Sequence, residues 1–173
     1  MDMVWRTILV VGLLLAGAPV AVGGAAFAAS SENEERLISR IAKESDPVKK
    51  SKCVTRLARI KLQQAIEAYE HGNIEQGVQL FHAYMARVKD SWQLLKNCGR
   101  NATRDPRGFK ELDIELREDA RLVDDLKRRV SYLDRDPIEQ TGKEVEVVRA
   151  QVLQALFPAA RTPEAAKPAG KTD

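Results

Sequence analysis

Two apolar seams, about four and about six helical turns long and joined by a tight turn, constrain this chain more than anything else in it. Ile74, Val78, Phe81, Met85, Val88, Trp92 and Leu95 recur at alternating spacings of four and three. That spacing lines them up along one face of an α-helix. A stripe so narrow packs against another helix rather than a broad sheet. Upstream, Val54, Ala58, Leu62, Ala65 and Tyr69 share a second face, flanked by Leu57 and Ile66. His71-Gly72-Asn73 separates the two seams. Gly72 accepts the positive φ that stops a helix, and Asn73 can cap the next one through its side-chain oxygen. Pro47 to Asn97 therefore reads as two long helices folded back on each other, close-packed and antiparallel.

The stretch from Leu62 to Gly77 resembles a single tetratricopeptide-type hairpin. The resemblance rests on the Ala65, Ala68 and Tyr69 positions of the first helix, the Gly72-Asn73 turn and the small residue Gly77 early in the second. The second arm runs on to about Asn97, beyond the length of that repeat, and no second copy is read in the sequence. The resemblance implies a helical hairpin, not a peptide-binding array, since stacked repeats need neighbours to bury their faces.

The start of the chain has a different character. Arg6 precedes an apolar run from Thr7 to Gly17, and Ala26-Phe27-Ala28 offers an A-x-A cleavage site. This is the layout of a bacterial-type secretory signal peptide, assigned to residues 1–29. Gly12, Gly17, Pro19 and Gly23-Gly24 interrupt the run and favour cleavage over anchoring. Removing the segment takes away one acid, Asp2, and one base, Arg6, so the net charge stays at +3. That balance is mildly basic and does not mark a nucleic-acid binder. About 140 residues remain, enough for one domain with a real core. Aromatic residues make up 5% of the chain and charged residues 31%, which suits a helical bundle better than a sandwich or barrel. Nothing later is long and apolar enough to span a bilayer.

Three Asp-Pro steps punctuate the rest. Ser31 and Glu34 form a capping box for a short first helix burying Leu37, Ile38, Ile41 and Ala42. Asp46-Pro47 caps and opens the first arm of the hairpin. Gly99 ends the second arm, and Asn97 to Arg104 is a polar connection. Asp105-Pro106 opens a fourth helix, Arg107 to Leu133, whose seam is Phe109, Leu112, Leu116, Ala120, Val123, Leu126, Val130 and Leu133. Its length lets it lie along both arms. Asp136-Pro137 closes it and offers one start for a fifth helix. Thr141 and Glu144 offer a capping box for that helix, which buries Val145, Val148, Val152 and Leu156. The predicted fold is all-α, an antiparallel bundle of four to five helices built on the central hairpin. The bundle spans residues 30–157, and 158–173 is a disordered Ala/Pro/Lys tail.

Chemistry-bearing residues are few. Cys53 and Cys98 are the only cysteines, and export permits a disulfide between them. Folding about Gly72 puts Cys53 opposite Trp92, with Cys98 roughly 9 Å further along the axis. A bridge needs Cα atoms within about 7 Å, so the third helix would have to end early and turn back at Gly99. A bridge and two independent semi-buried thiols both stay open. His71 and His82 share no i,i+4 pair, and no metal set is read around them. Asp134, Asp136 and Glu139 crowd one connection without the spacing of a calcium loop. Lys49, Lys52, Arg56 and Arg59 form a basic stripe. It is either a patch for an anionic lipid, nucleic acid or acidic polymer, or a solvated face paired with Glu111, Glu115 and Asp119, or with Glu32 and Glu35. No aromatic residue interleaves with it, which argues against nucleic acid. Asn101-Ala102-Thr103 is an N-x-T sequon that has no use in a bacterium.

No catalytic residue, cofactor-binding motif or metal set is identified. The sequence thus predicts an exported, non-enzymatic helical protein, periplasmic or secreted. It would act through protein–protein contacts as a scaffold, adaptor or envelope stress-type binding module. Its expected partner is a protein, with weak contact to an anionic surface, no specific nucleic acid and no transmembrane helix after signal cleavage. The alternative is an envelope ligand or metal sensor with a cleft at the open end of the bundle near Cys53, Trp92 and Cys98.

Overall fold

Each long helix begins and ends where the local chemistry dictates. The computed structural model describes residues 24–158. These form helices α1 (Gly24–Lys43), α2 (Pro47–Glu70), α3 (Ile74–Lys96), α4 (Phe109–Arg129) and α5 (Asp136–Leu156), with a 3₁₀ turn, Tyr132–Asp134, between the last two. The apolar run at 7–17 and the tail at 159–173 lie outside the described residues. At α2, extended Asp46 accepts the amides of Val48 (2.8 Å) and Lys49 (3.0 Å) on Oδ1, and Pro47 sits in the first turn. Two of the amides that a helix start leaves unpaired are thereby satisfied. The α2–α3 turn closes through Gly72 at φ 77°, with the Asn73 amide bonded to the Ala68 carbonyl at 2.8 Å. Asn73 makes no side-chain cap; only its carbonyl serves, accepting the Gly77 amide.

The two seams of the hairpin are realised. Val54, Leu57, Ala58, Leu62, Ala65 and Tyr69 on α2 face Phe81, Tyr84, Met85, Val88, Trp92 and Leu95 on α3, all buried. Full burial of one such large apolar side chain contributes about 1.5–3 kcal/mol. A side chain at Gly77 would overlap the Tyr69 ring, so α2 and α3 approach closely just past their turn.

A second hairpin, α4–α5, stacks on the first. Lys127 meets Glu139 and Asp113 meets Arg149, so α4 and α5 are antiparallel. Between the hairpins the neighbours run parallel. On α2 and α4, Val48 lies by Gly108, Arg59 by Asp119 and Glu70 by Arg129. On α3 and α5, Lys89 meets Glu144 and Trp92 meets Gln151. The helices thus form an all-α bundle in which α2 adjoins α3 and α4, and α5 adjoins α3 and α4. As its length allows, α4 meets both arms: it lines α2 and touches α3 through Tyr84–Asp119 and Trp92–Phe109, while α5 covers the rest of α3. The apolar seams of α4 and α5 need a common core, and only side-by-side stacking gives both hairpins one.

Other boundaries differ from the sequence reading. α1 starts at Gly24, running through Ala26-Phe27-Ala28, and Ser31 lies inside it instead of capping it. It lies antiparallel on α2, where Glu34 holds Lys61 (2.6 Å) and Gln64 (3.3 Å). Ile38 is 50% exposed, and Ala42 is exposed as well, because α1 touches one neighbour and buries only a narrow strip. α4 stops at Arg129, leaving Leu133 in the 3₁₀ turn, 86% exposed. α4 begins at Phe109 rather than Arg107, capped by Gly108 at φ 84°, whose amide bonds the Glu111 carboxylate at 2.6 Å. A Cβ there would lie 2.8 Å from Leu95 and 2.9 Å from Val48, so glycine is required twice over. Thr141 is no cap but lies within α5, its hydroxyl donating to the Pro137 carbonyl at 2.8 Å.

Candidate functional site: a basic groove between α2 and α4

The basic stripe predicted on α2 divides in the structure. Arg59, its last member, turns into the α2–α4 contact. Its guanidinium bonds the Asp119 carboxylate and lies 3.6 Å from both Glu115 and Glu118. Asp119 is 2% exposed, and its other oxygen accepts the Tyr84 hydroxyl at 3.0 Å. Burial pushes the Asp119 carboxyl up to about 6, against the opposing pull of Arg59 and the Tyr84 hydrogen bond. The same burial, followed by the charge of Asp119, pushes the Tyr84 hydroxyl well above the ordinary tyrosine range. A raised carboxyl is the mark of a general acid only where substrate can reach it. Here both oxygens are occupied and the group is sealed, so its part is to fasten α4 onto α2 and α3.

Lys49, Lys52 and Arg56 remain exposed. They form one wall of a groove of about 570 Å³ between the first halves of α2 and α4, with Arg100 and Arg107 at its end. Ile114 and the half-buried Val48 supply apolar surface above the buried Leu112. Asp46, Glu111 and Glu115 also line it, but each is engaged. Asp46 caps α2, and the Lys49 amide foremost holds its carboxyl below the ordinary aspartate range. It also lies 3.5 Å from Arg100. Glu111 holds the Gly108 amide, and Glu115 faces Arg59. Arg100 and Arg107 share Asp105, at 3.0 and 2.8 Å. Among the described residues, Lys49, Lys52 and Arg56 enter no ion pair within 4 Å.

Behind the groove, Ser51, Thr55 and Ser91 are buried together. Ser51 and Thr55 each lie 2.8 Å from the Ser91 hydroxyl, and Thr55 donates to the Ser51 carbonyl at 3.0 Å. One direction satisfies every proton: Ser51 to Ser91, Ser91 to Thr55, Thr55 to the Ser51 carbonyl. Their partners are one another and the Ser51 carbonyl, and through them α2 is pinned to α3.

Cys53 is buried on α2 and Cys98 half-buried after α3, both as free thiols rather than a bridge. Ser91 bonds both Ser51 and Thr55, which sets Cys53 opposite Ser91–Trp92, and α3 continues helical to Lys96. The early end that a bridge requires does not occur. At the end expected to hold a cleft near Cys53, Trp92 and Cys98, the Trp92 indole packs edge-on against Phe109 at 6.2 Å and its Nε1 donates to Gln151 at 2.8 Å. The groove described above opens at this end on the α2–α4 side. Asn101 of the sequon serves locally, its side-chain oxygen accepting the Thr103 and Arg104 amides. Among the described residues, no group of three or more His, Cys, Asp or Glu side chains is placed to hold a metal ion.

Sequence reasoning missed Arg100, Arg107 and the three hydroxyls, and it named Asp119 as a partner of the stripe on a solvated face, whereas the Arg59–Asp119 pair is buried on the Asp119 side. Two signals were present. Ser51 and Thr55 occupy the upstream turns of the α2 seam, and Asp119 falls three residues after Leu116 and four before Val123 on the α4 seam. A polar residue on an apolar stripe announces a buried partner. For Arg100 and Arg107 no local signal exists, because the parallel packing of α4 on α2 brings them to the groove.

Comparison with protein families, with curated proteins and with solved structures found no match to the chain.

Proposed function

We propose that this protein is an exported, non-enzymatic helical module, periplasmic or secreted, that acts by binding another protein. The observation that carries the reading is the α2–α4 groove. It combines apolar surface with three cations that enter no ion pair among the described residues, the mixture of a polar rim and apolar anchor that protein recognition uses. The occupied oxygens of Asp119 and the closed hydroxyl cycle support binding over catalysis. Among the described residues, no helix is long and apolar enough to cross a membrane.

The test is native mass spectrometry of the protein recovered from its host, with its N-terminus determined. A mature start near Ala29 and a complex with a second protein are the expected result. A second reading, an envelope ligand sensor, draws on the same cavity, whose volume falls within the range of small-molecule sites. A monomer carrying a small ligand would decide for that reading and against the adaptor.

A further inference from the structure

The first fifteen residues of α2, Pro47 to Lys61, hold Lys49, Lys50, Lys52, Arg56, Arg59 and Lys61 and no acid. The end of a helix where this run begins is already positive, and acids rather than bases are favoured there. α2 has none in its first turn. Arg59 and Lys61 are neutralised by α4 and α1, whereas Lys49, Lys52 and Arg56 are left facing the groove. Local rules broken without an internal gain mark functional positions.

Resting on the adaptor reading, we infer that the groove takes an acidic amphipathic helix of a partner protein. Lys49, Lys52 and Arg56 are spaced i, i+3 and i+7 and span roughly 10 Å, two helical turns. Carboxylates at the same spacing on a docked helix would meet them in register. Ile114, 46% exposed on the far wall, and the half-buried Val48 on α2 would take the apolar stripe beside those carboxylates. A flat anionic bilayer fits less well, because the α4 wall presents Glu111 and Glu115 and the exposed Glu118 beyond them.

The experiment is titration of the full chain with a labelled helical peptide carrying glutamates at i, i+3 and i+7 beside a leucine stripe. A scrambled peptide of equal composition and phosphatidylglycerol vesicles run alongside. Expected are binding of the patterned peptide alone, weakening with added salt, and about tenfold or greater loss in K49E/K52E/R56E. K49Q/K52Q/R56Q should lose less, and K143E nothing. The triple variant should keep the wild-type helical circular dichroism, so that the loss reads binding and not folding. No peptide binding, equal binding of the scrambled peptide, or vesicle binding alone would overturn the proposal. So would a host complex whose partner covers another face, although that outcome leaves the adaptor reading standing. A host monomer with a small ligand would sink the adaptor reading separately.

Discussion

Less than one helical turn separates two opposite electrostatic arrangements along the α2–α4 contact. At Arg59 the helices close and a guanidinium is surrounded by Asp119, Glu115 and Glu118. At Arg56 and below they part, and three cations face a groove whose acids are engaged elsewhere. The closed half shows what α2 and α4 do when they neutralise each other. The open half keeps its charge, although α4 carries acids enough to compensate it. The closed half therefore reads as the joint and the open half as the surface for a partner.

The largest effect expected is from packing in the closed half. Leu116, fully buried one turn before Asp119, should cost about 2–5 kcal/mol on Leu116→Ala. Phe81→Ala, in the first hairpin, should fall in the same range. Denaturant melts of either variant that overlay the wild type would mean the seams are misplaced.

The next effect is a pH dependence that only the closed half should show. The folded pKa of Asp119, about 6, lies above its ordinary value of 3.8. The fold therefore holds this proton more tightly than the unfolded chain does. The contribution is complete below about pH 3.8 and is given up as pH rises through about 6, roughly 3 kcal/mol in all. Asp46 and Asp105 are shifted the other way, and their contributions are lost as pH falls through their folded values. Subtracting the stability curve of Asp119→Asn isolates the single group. The variant should gain about 2.5 kcal/mol on wild type between pH 4 and pH 7. A flat difference curve would remove the buried carboxylate from the account.

Arg59→Met should cost about 2 kcal/mol at pH 7, in the range of a hydrogen bond to a charged group. Breaking a buried pair at fixed charge costs more, but Asp119 can take up a proton and limit the loss. The cost should accordingly shrink at pH 5, and an equal cost at both values would contradict the arrangement. The smallest effect has the opposite sign. In the open half, Lys49→Glu should stabilise by about 0.3–1 kcal/mol through the α2 dipole. A thermal melt showing destabilisation would erase the contrast between the halves.

The first hairpin was legible because its information is local. Alternating spacings of three and four, Asp46-Pro47 at one end and Gly72 at the other, specify helices and a turn within a few residues. Where two capping signals competed, as at Thr141 against Asp136-Pro137, sequence could not rank them. The earlier start won because it lets Ile138 and Thr141 reach the core. Leu133 failed for a related reason: it fits the α4 period, but the helix stops at Arg129 so that the chain can reverse into α5.

By itself, the sequence determined an all-helical chain, the register of α2 against α3 and the basic stripe on α2, all of which follow from residue spacing along one helix or across one short turn. Only the tertiary structure decided that the second hairpin stacks parallel to the first, that Arg59 is spent inside the joint while Lys49, Lys52 and Arg56 stay free, and that Arg100 and Arg107 join them. Those outcomes depend on which helix faces which after both hairpins share a core. That choice is made by the sum of many packing contacts between residues far apart in the chain, and no local spacing records it.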